Sequence, residues 1–209
     1  MGAPITAEMV KELRERTGVG MMDCKRALAE ADGDMDQATK ILRTQGLAAA
    51  QKRVERAATE GVVEAYIHAG DKLGVLVEVN CETDFVAQTD EFTQLAHDLA
   101  MQVAAAAPRY VTRDEIPADV LEREKEILRA QAANLGKPPQ VVEKIVDGRL
   151  EKFFSEVCLM DQAFIRDPDV KVADLVRDAI AKIGENIVVR RFARFDLGRE
   201  AVLAQRAEK

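Results

Sequence analysis

The chain has 209 residues, with 30 Lys and Arg against 37 Asp and Glu for a formal net charge of −7, and 47% hydrophobic, 4% aromatic and 32% charged residues. That composition supplies a real core for one large or two modest domains and excludes a disordered chain. No run of about 18 apolar residues is available to span a bilayer, and MGAPITAEMVKELRER lacks the basic start and apolar centre of a secretory signal, so a cytoplasmic protein is expected.

From Thr6 to Arg16, Met9, Val10 and Leu13 fall at helical spacing, with Thr6 placed to cap the first turn. Gly18-Val19-Gly20 breaks this helix, and a second over Asp23 to Ala31 carries Ala27 and Leu28 on one face. Asp32-Gly33-Asp34 makes the next turn, and Asp36 to Gln45 reads as a third helix with Ala38, Ile41 and Leu42 inward. Three short helices make a small bundle, followed by AAAQKRVERAATEG, which reads as a polar helical linker.

At Gly61 the composition shifts. GVVEAYIHAG and LGVLVEVNC alternate β-branched and other residues around a Gly-Asp turn and predict a β-hairpin. A helix from about Asp90 to Ala107 follows, striped with Phe92, Leu95, Ala96, Leu99 and Val103 and ended by Pro108. Helical patterns over Ala118 to Asn134 and Gln140 to Val157, joined by Leu135-Gly136-Lys137-Pro138-Pro139, predict an antiparallel pair. Leu121, Leu128 and Leu135 line one member, and Val142, Val146, Leu150, Phe153 and Val157 the other. Val172 to Ile183 reads as a helix and Asn186 to Phe195 as a strand. Segregated helices and strands predict an α+β fold with an antiparallel sheet, divided at residues 1–56 and 57–209, the helical hairpin lying at about 113–157.

Charge is uneven along the chain. Residues 60–112 hold two Lys or Arg against nine Asp or Glu, a local −7 equal to the whole imbalance. Such a segment repels phosphate backbones and suits a protein partner better than a nucleic acid. Cys24, Cys81 and Cys158 are odd in number and far apart, so buried thiols are expected and no disulfide framework or C-x-x-C site is available.

Most motifs with a chemical look resolve into ordinary features. Asp32-x-Asp34-x-Asp36 starts like a calcium loop but has Gln37 and Arg43 where Gly and a bidentate Glu are required. Met1-Gly2 with Thr6 matches a loose myristoylation pattern, but Thr6 already serves as a helix cap. Cys81, His97 and Asp98 lack an oxyanion-hole motif, and His97 reads as a surface residue. Arg190, Arg191 and Arg194 alternate with Phe192 and Phe195 as on any half-buried strand. No phosphate loop is present. No catalytic residue, metal ligand or cofactor site is therefore assigned, and an enzyme is not expected. One segment is unusual: Asn80-Cys81-Glu82-Thr83-Asp84-Phe85-Val86-Ala87 leaves a strand and turns, placing Phe85 and Val86 where loop geometry favours exposure. The competing reading folds Phe85 back under the hairpin as a core residue.

The run Lys11 to Lys25, KELRERTGVGMMDCK, together with Val79 to Ala87, VNCETDFVA, closely resembles the two signature stretches of the bacterial elongation factor Ts family. The resemblance extends through Gly136-Lys137-Pro138, Glu143 to Arg149 and Ile183-Gly184-Glu185-Asn186-Ile187, and so covers nearly the whole chain. It implies a guanine-nucleotide exchange factor for elongation factor Tu. Its fold would combine an N-terminal ubiquitin-associated-like three-helix domain, an antiparallel-sheet core and a protruding coiled-coil hairpin. It further implies that Thr83, Asp84, Phe85 and Val86 enter the partner's G domain. There Phe85 wedges between helices while Asp84 and its neighbours disturb the groups holding the partner's magnesium ion and phosphates. Arg14, Met21, Met22 and Lys25 match positions that meet the same partner, although one of the two methionines could equally serve the core. Longer members of the family carry two copies of the core unit. One hairpin and one Ile-Gly-Glu-Asn strand leave half a core here, so a homodimer is expected. The rival reading is a ubiquitin-associated-like helical adaptor or scaffold without exchange activity, which has no need of the Thr-Asp-Phe-Val loop.

Overall fold

The computed structural model describes residues 5–134 and 138–197. Side-chain caps set where its first helices begin. Thr6 accepts from the backbone N–H of Met9 at 3.2 Å and opens α1 (Ala7–Thr17). Gly18, at φ 71°, donates back to the Arg14 carbonyl at 2.7 Å and closes it. A Cβ at Gly18 would also fall 2.2 Å from Cε of Lys182, so both backbone and packing demand glycine there. After α2 (Met21–Glu30), the Asp34 carboxylate accepts from Gln37 N–H at 2.8 Å and starts α3 (Met35–Arg53), so the acidic run is a turn and a helix cap. The third helix does not stop near Gln45. It runs without a break into the alanine-rich helical linker, because Ala50 is buried and a Cβ on Gly46 would lie only 3.1 Å from that of Ala181. Val10, Leu13, Cys24, Ala27, Leu28, Ala38 and Leu42 form the core shared by these helices.

By density of contacts the chain forms two compact units. Among the described residues, one takes 5–61, Asn80–Thr89 and Val176–Val188; the other takes Val62–Val79, 90–134, 138–175 and 189–197. Each is described by itself.

The second unit is built on strands β1 (Glu60–Ile67), β2 (Leu73–Cys81) and β5 (Val188–Asp196), which form an antiparallel sheet in the order β1-β2-β5. Gly70 and Asp71, both at positive φ, make the tight turn between the first two strands, closed by a bond from His68 N–H to the Leu73 carbonyl at 2.8 Å. At the far side, Leu197 N–H donates to the Lys72 carbonyl at 2.8 Å and Arg191 pairs with Glu78 at 2.7 Å, which sets the β2–β5 register. Short α4 (Asp84–Ala87) belongs to the first unit, and α5 (Asp90–Ala106) lies against the sheet face that carries Glu64, Tyr66 and Arg194. Its buried stripe is Phe92, Leu95, Ala96, Leu99 and Val103. Arg194 reaches the C-terminal end of that helix and donates to the Ala104 carbonyl at 3.2 Å, satisfying an orphan acceptor. Alternation puts Val63, Ile67, Leu76 and Phe195 on the opposite face, where all four are exposed.

Helices α6 (Ala118–Ala133) and α7 (Pro139–Val157) pack through Leu128, Ala132 and Val146, with a second cluster of Ile116, Phe153, Phe154, Val157 and Cys158 at their base. Leu135, Gly136 and Lys137, read as part of the joint between them, lie outside the described residues. Arg113 fixes this base. Its guanidinium bonds the Asp161 carboxylate at 2.6 Å and Glu151 at 2.8 Å, and stacks 4.3 Å over the Phe154 ring. A small hairpin, β3 (Ala163–Phe164) and β4 (Asp167–Lys171), precedes α8 (Val172–Ile183). Behind it two fully engaged glutamines are buried. The Gln102 amide donates to Gln162 Oε1 and the Ala163 carbonyl and accepts from Ile165 N–H. Gln162 in turn donates to the carbonyls of Ala106 and Glu156. The mixture of helices with an antiparallel sheet is an α+β fold.

Candidate partner-binding site

Strand β2 ends at Cys81, whose thiol donates to the Thr83 carbonyl at 3.2 Å. Burial, followed by the nearby negative charge of Glu185, pushes the thiol's pKa up, so it stays protonated and is no nucleophile. Thr83 is extended, and its hydroxyl oxygen accepts from Val86 N–H at 3.3 Å, capping the single turn of α4. Asp84 occupies the first position of that turn, where the helix N-terminus favours a carboxylate, and Gln88 orients it by donating at 2.7 Å.

The turn decides which side chains face out. Successive helical residues point about 100° apart, so Phe85 and Val86 face different surroundings. Phe85 is 82% exposed, which excludes the alternative of a core residue, whereas Val86 is buried at 7%. The expectation that Val86 is exposed is thereby corrected: it anchors the turn from beneath.

The loop is held from a distant part of the sequence. Glu185 Oε2 accepts from the backbone N–H groups of Glu82 and Thr83 at 3.1 and 3.0 Å, while Oε1 accepts from the Thr83 hydroxyl at 2.7 Å. The Glu82 carboxylate returns the favour by accepting from Asn186 N–H at 2.7 Å. The buried Asn186 amide then donates to the carbonyls of Val54 and Arg56, at 3.2 and 2.7 Å, just beyond the end of α3, and Arg56 lies 3.5 Å from Glu82. Sequence reasoning recorded Gly184-Glu185-Asn186 only as part of a resembling motif and missed this role; the paired carboxylate and amide at the mouth of a strand were the available signal.

Arg14, Met21, Met22 and Lys25 are all exposed, on α1 and the first turns of α2. Met21 and Met22 are 50% and 70% exposed, since the core side of α2 is taken by Cys24, Ala27 and Leu28. Neither methionine serves the core. These helices and the Phe85 turn fall in the same compact unit.

Residues considered for other chemistry have other partners. His97 Nδ1 lies 2.8 Å from Glu64, Asp98 pairs with Arg166 at 2.9 Å, and Arg194 pairs with Asp196 at 2.9 Å. Among the described residues no group of His, Cys, Asp and Glu could hold a metal ion, and no helix is long and apolar enough to cross a membrane.

The model of a family described as Elongation factor TS matches residues 35–179. The chain belongs to the elongation factor Ts family. It is 68% identical over 194 residues to the Elongation factor Ts of Carboxydothermus hydrogenoformans, covering 93% of this chain and 89% of that protein. Against the Elongation factor Ts of Heliobacterium modesticaldum the identity is 63%, covering 93% and 90%. Against that of Moorella thermoacetica it is 60% over 201 residues, covering 96% and 99%. The matched family region contains the Phe85 turn.

Proposed function

We propose that this chain is a guanine-nucleotide exchange factor acting in translation elongation, with elongation factor Tu as its partner. The observation that carries the reading is Phe85: a large aromatic side chain, almost wholly exposed, on a capped and latched turn in a member of this family. An unattached Phe in solvent has no folding role, and a rigid turn that presents it is suited to insertion into another protein.

An exchange factor makes and breaks no covalent bond. It binds the nucleotide-free partner more tightly than the nucleotide-bound one, and linkage makes the antagonism reciprocal. Thr83 to Val86 form the inserting turn: Phe85 wedges into the partner's G domain, Asp84 brings negative charge toward the groups that hold magnesium and phosphate, and Thr83 and Val86 set the turn's shape. The metal and the nucleotide belong to the partner, and this chain needs no cofactor and no contact with nucleic acid.

The wedge does not act alone. A ten-thousand-fold acceleration of nucleotide release corresponds to roughly 5.5 kcal/mol, whereas burying one Phe contributes about 1.5–3 kcal/mol. Arg14, Met21, Met22 and Lys25 supply further contact from an N-terminal domain over 1–56 that is ubiquitin-associated-like, the core domain spanning 57–209. Adjacent exposed methionines suit an adaptable apolar surface. The α6–α7 pair is the protruding coiled coil of the core.

The chain works as a cytoplasmic homodimer. Val63, Ile67, Leu76 and Phe195 give the sheet an exposed apolar face, and the Glu78–Arg191 pair on it is self-complementary in charge under two-fold symmetry. The deciding assay mixes the protein with elongation factor Tu carrying a fluorescent GDP and follows its release. Release no faster than the spontaneous rate would leave the adaptor reading in its place.

A further inference from the structure

We infer that Glu185 is a positioning residue for the exchange turn, acting through the placement of Phe85 and not by touching the partner itself. The inference rests on the exchange reading and assigns a part to a residue that the reading does not use.

Three donors converge on the Glu185 side chain. Beyond the paired ends of β2 and β5, the N–H groups of Glu82 and Thr83 have no neighbouring strand to bond among the described residues. A single oxygen of Glu185 takes both, and its other oxygen takes the Thr83 hydroxyl. That third bond does more than hold the hydroxyl. By using the Thr83 proton as donor it leaves the hydroxyl oxygen's lone pair aimed at Val86 N–H, and so selects the rotamer that caps α4. Phe85 lies between the cap and the anchored Val86, so its direction follows from the threonine's rotamer. The latch is reciprocal, since the Glu82 carboxylate receives Asn186 N–H. It is also grounded, because the Asn186 amide is fixed by the carbonyls of Val54 and Arg56. All of these groups lie in one compact unit. A turn free to rotate must be ordered during binding, and a turn held in advance avoids that loss.

The test is a double-mutant cycle in the fluorescent-GDP release assay with elongation factor Tu. Glu185→Ala is expected to slow catalysed release roughly ten- to hundred-fold, the range for losing a hydrogen bond to a charged group. In a Phe85→Ala background the same change should cost less than about threefold, because a latch without a wedge has nothing to position. Glu185→Gln should recover most of the rate: its amide oxygen still accepts both N–H groups and its amide nitrogen can donate to the Thr83 oxygen. If Glu185→Ala is too unstable to study, Thr83→Val breaks the same link and carries the same expectation. Equal losses in the two backgrounds would overturn the positioning role. So would unchanged hydrogen-exchange protection of the Glu82 and Thr83 amides in Glu185→Ala, a readout independent of exchange activity. A silent Phe85→Ala with deprotected amides would instead refute the exchange role of the turn, and the positioning role with it.

Discussion

Replacing Phe85 and replacing Val86, its neighbour in a four-residue turn, should damage different properties. Phe85 is 82% exposed, so Phe85→Ala removes almost nothing from the folded chain and should leave the melting temperature unchanged. Val86 is buried, and Val86→Ala removes two buried carbons, costing roughly 1.5–2.5 kcal/mol from lost transfer energy and the cavity left behind. For exchange the order reverses. If Phe85 is buried only in the complex, its loss removes about 1.5–3 kcal/mol, a roughly ten- to hundred-fold fall in the catalysed release rate. Complex formation with nucleotide-free partner should fall less, because the remaining contacts are untouched. Melting by circular dichroism and release of fluorescent GDP by stopped flow, run on both variants, measure the two axes. A Phe85→Ala variant that melts several degrees lower, or that loses affinity and exchange in equal measure, would refute the wedge and return Phe85 to a structural role.

Other outcomes follow from the same geometry. Burial, with a smaller contribution from Asp161, raises the Cys158 thiol from 9.0 to about 11. The folded state thus holds this proton more tightly than the unfolded one, so its contribution is full below pH 9 and lost as pH rises toward 11. Urea titrations across that range should show falling stability, less steep in Cys158→Ala; equal slopes would contradict the assignment. Arg113→Ala should destabilise the second unit by about 1–3 kcal/mol, since it strands the largely buried Asp161 carboxylate; Arg113→Lys should recover little, because a point charge cannot bridge Asp161 and Glu151 bidentately. Light scattering at micromolar concentration should give about twice the 23.1 kDa of one chain, and Phe195→Glu should return it to one; a wild-type monomer would remove the homodimer.

Elements whose signals are local were legible in the sequence. Thr6 announces a helix by its own side chain, Gly70-Asp71 announces a hairpin, and the stripe from Phe92 to Val103 spans about three turns of helical period. The misses are physically of two kinds. Short elements carry too few residues for a period: α4 has four residues and β3 two, and Asp167-Pro168-Asp169 in β4 has the composition of a turn. That the third helix and the helical linker form one helix with a buried face was hidden because its interior contact is made by glycine and alanine, which give no apolar stripe. For the candidate site, Phe85, Met21 and Met22 could be singled out but not placed, since exposure depends on what packs beneath. The Glu185 contact lay beyond reach for another reason: it joins residues 102 and 103 positions apart, and no local pattern encodes such a pairing.

The two buried glutamines carry a consequence for how this chain can change over generations. Gln102 and Gln162 satisfy one another and the backbone around the β3–β4 hairpin, 60 positions apart in sequence. Losing either alone leaves buried amide or carbonyl groups without partners, at about 1–3 kcal/mol, while replacing both by apolar side chains of similar shape removes their mutual demand. Neutral drift is therefore closed to each position singly and less opposed when both move. Across related chains the two sites should be inherited as a pair.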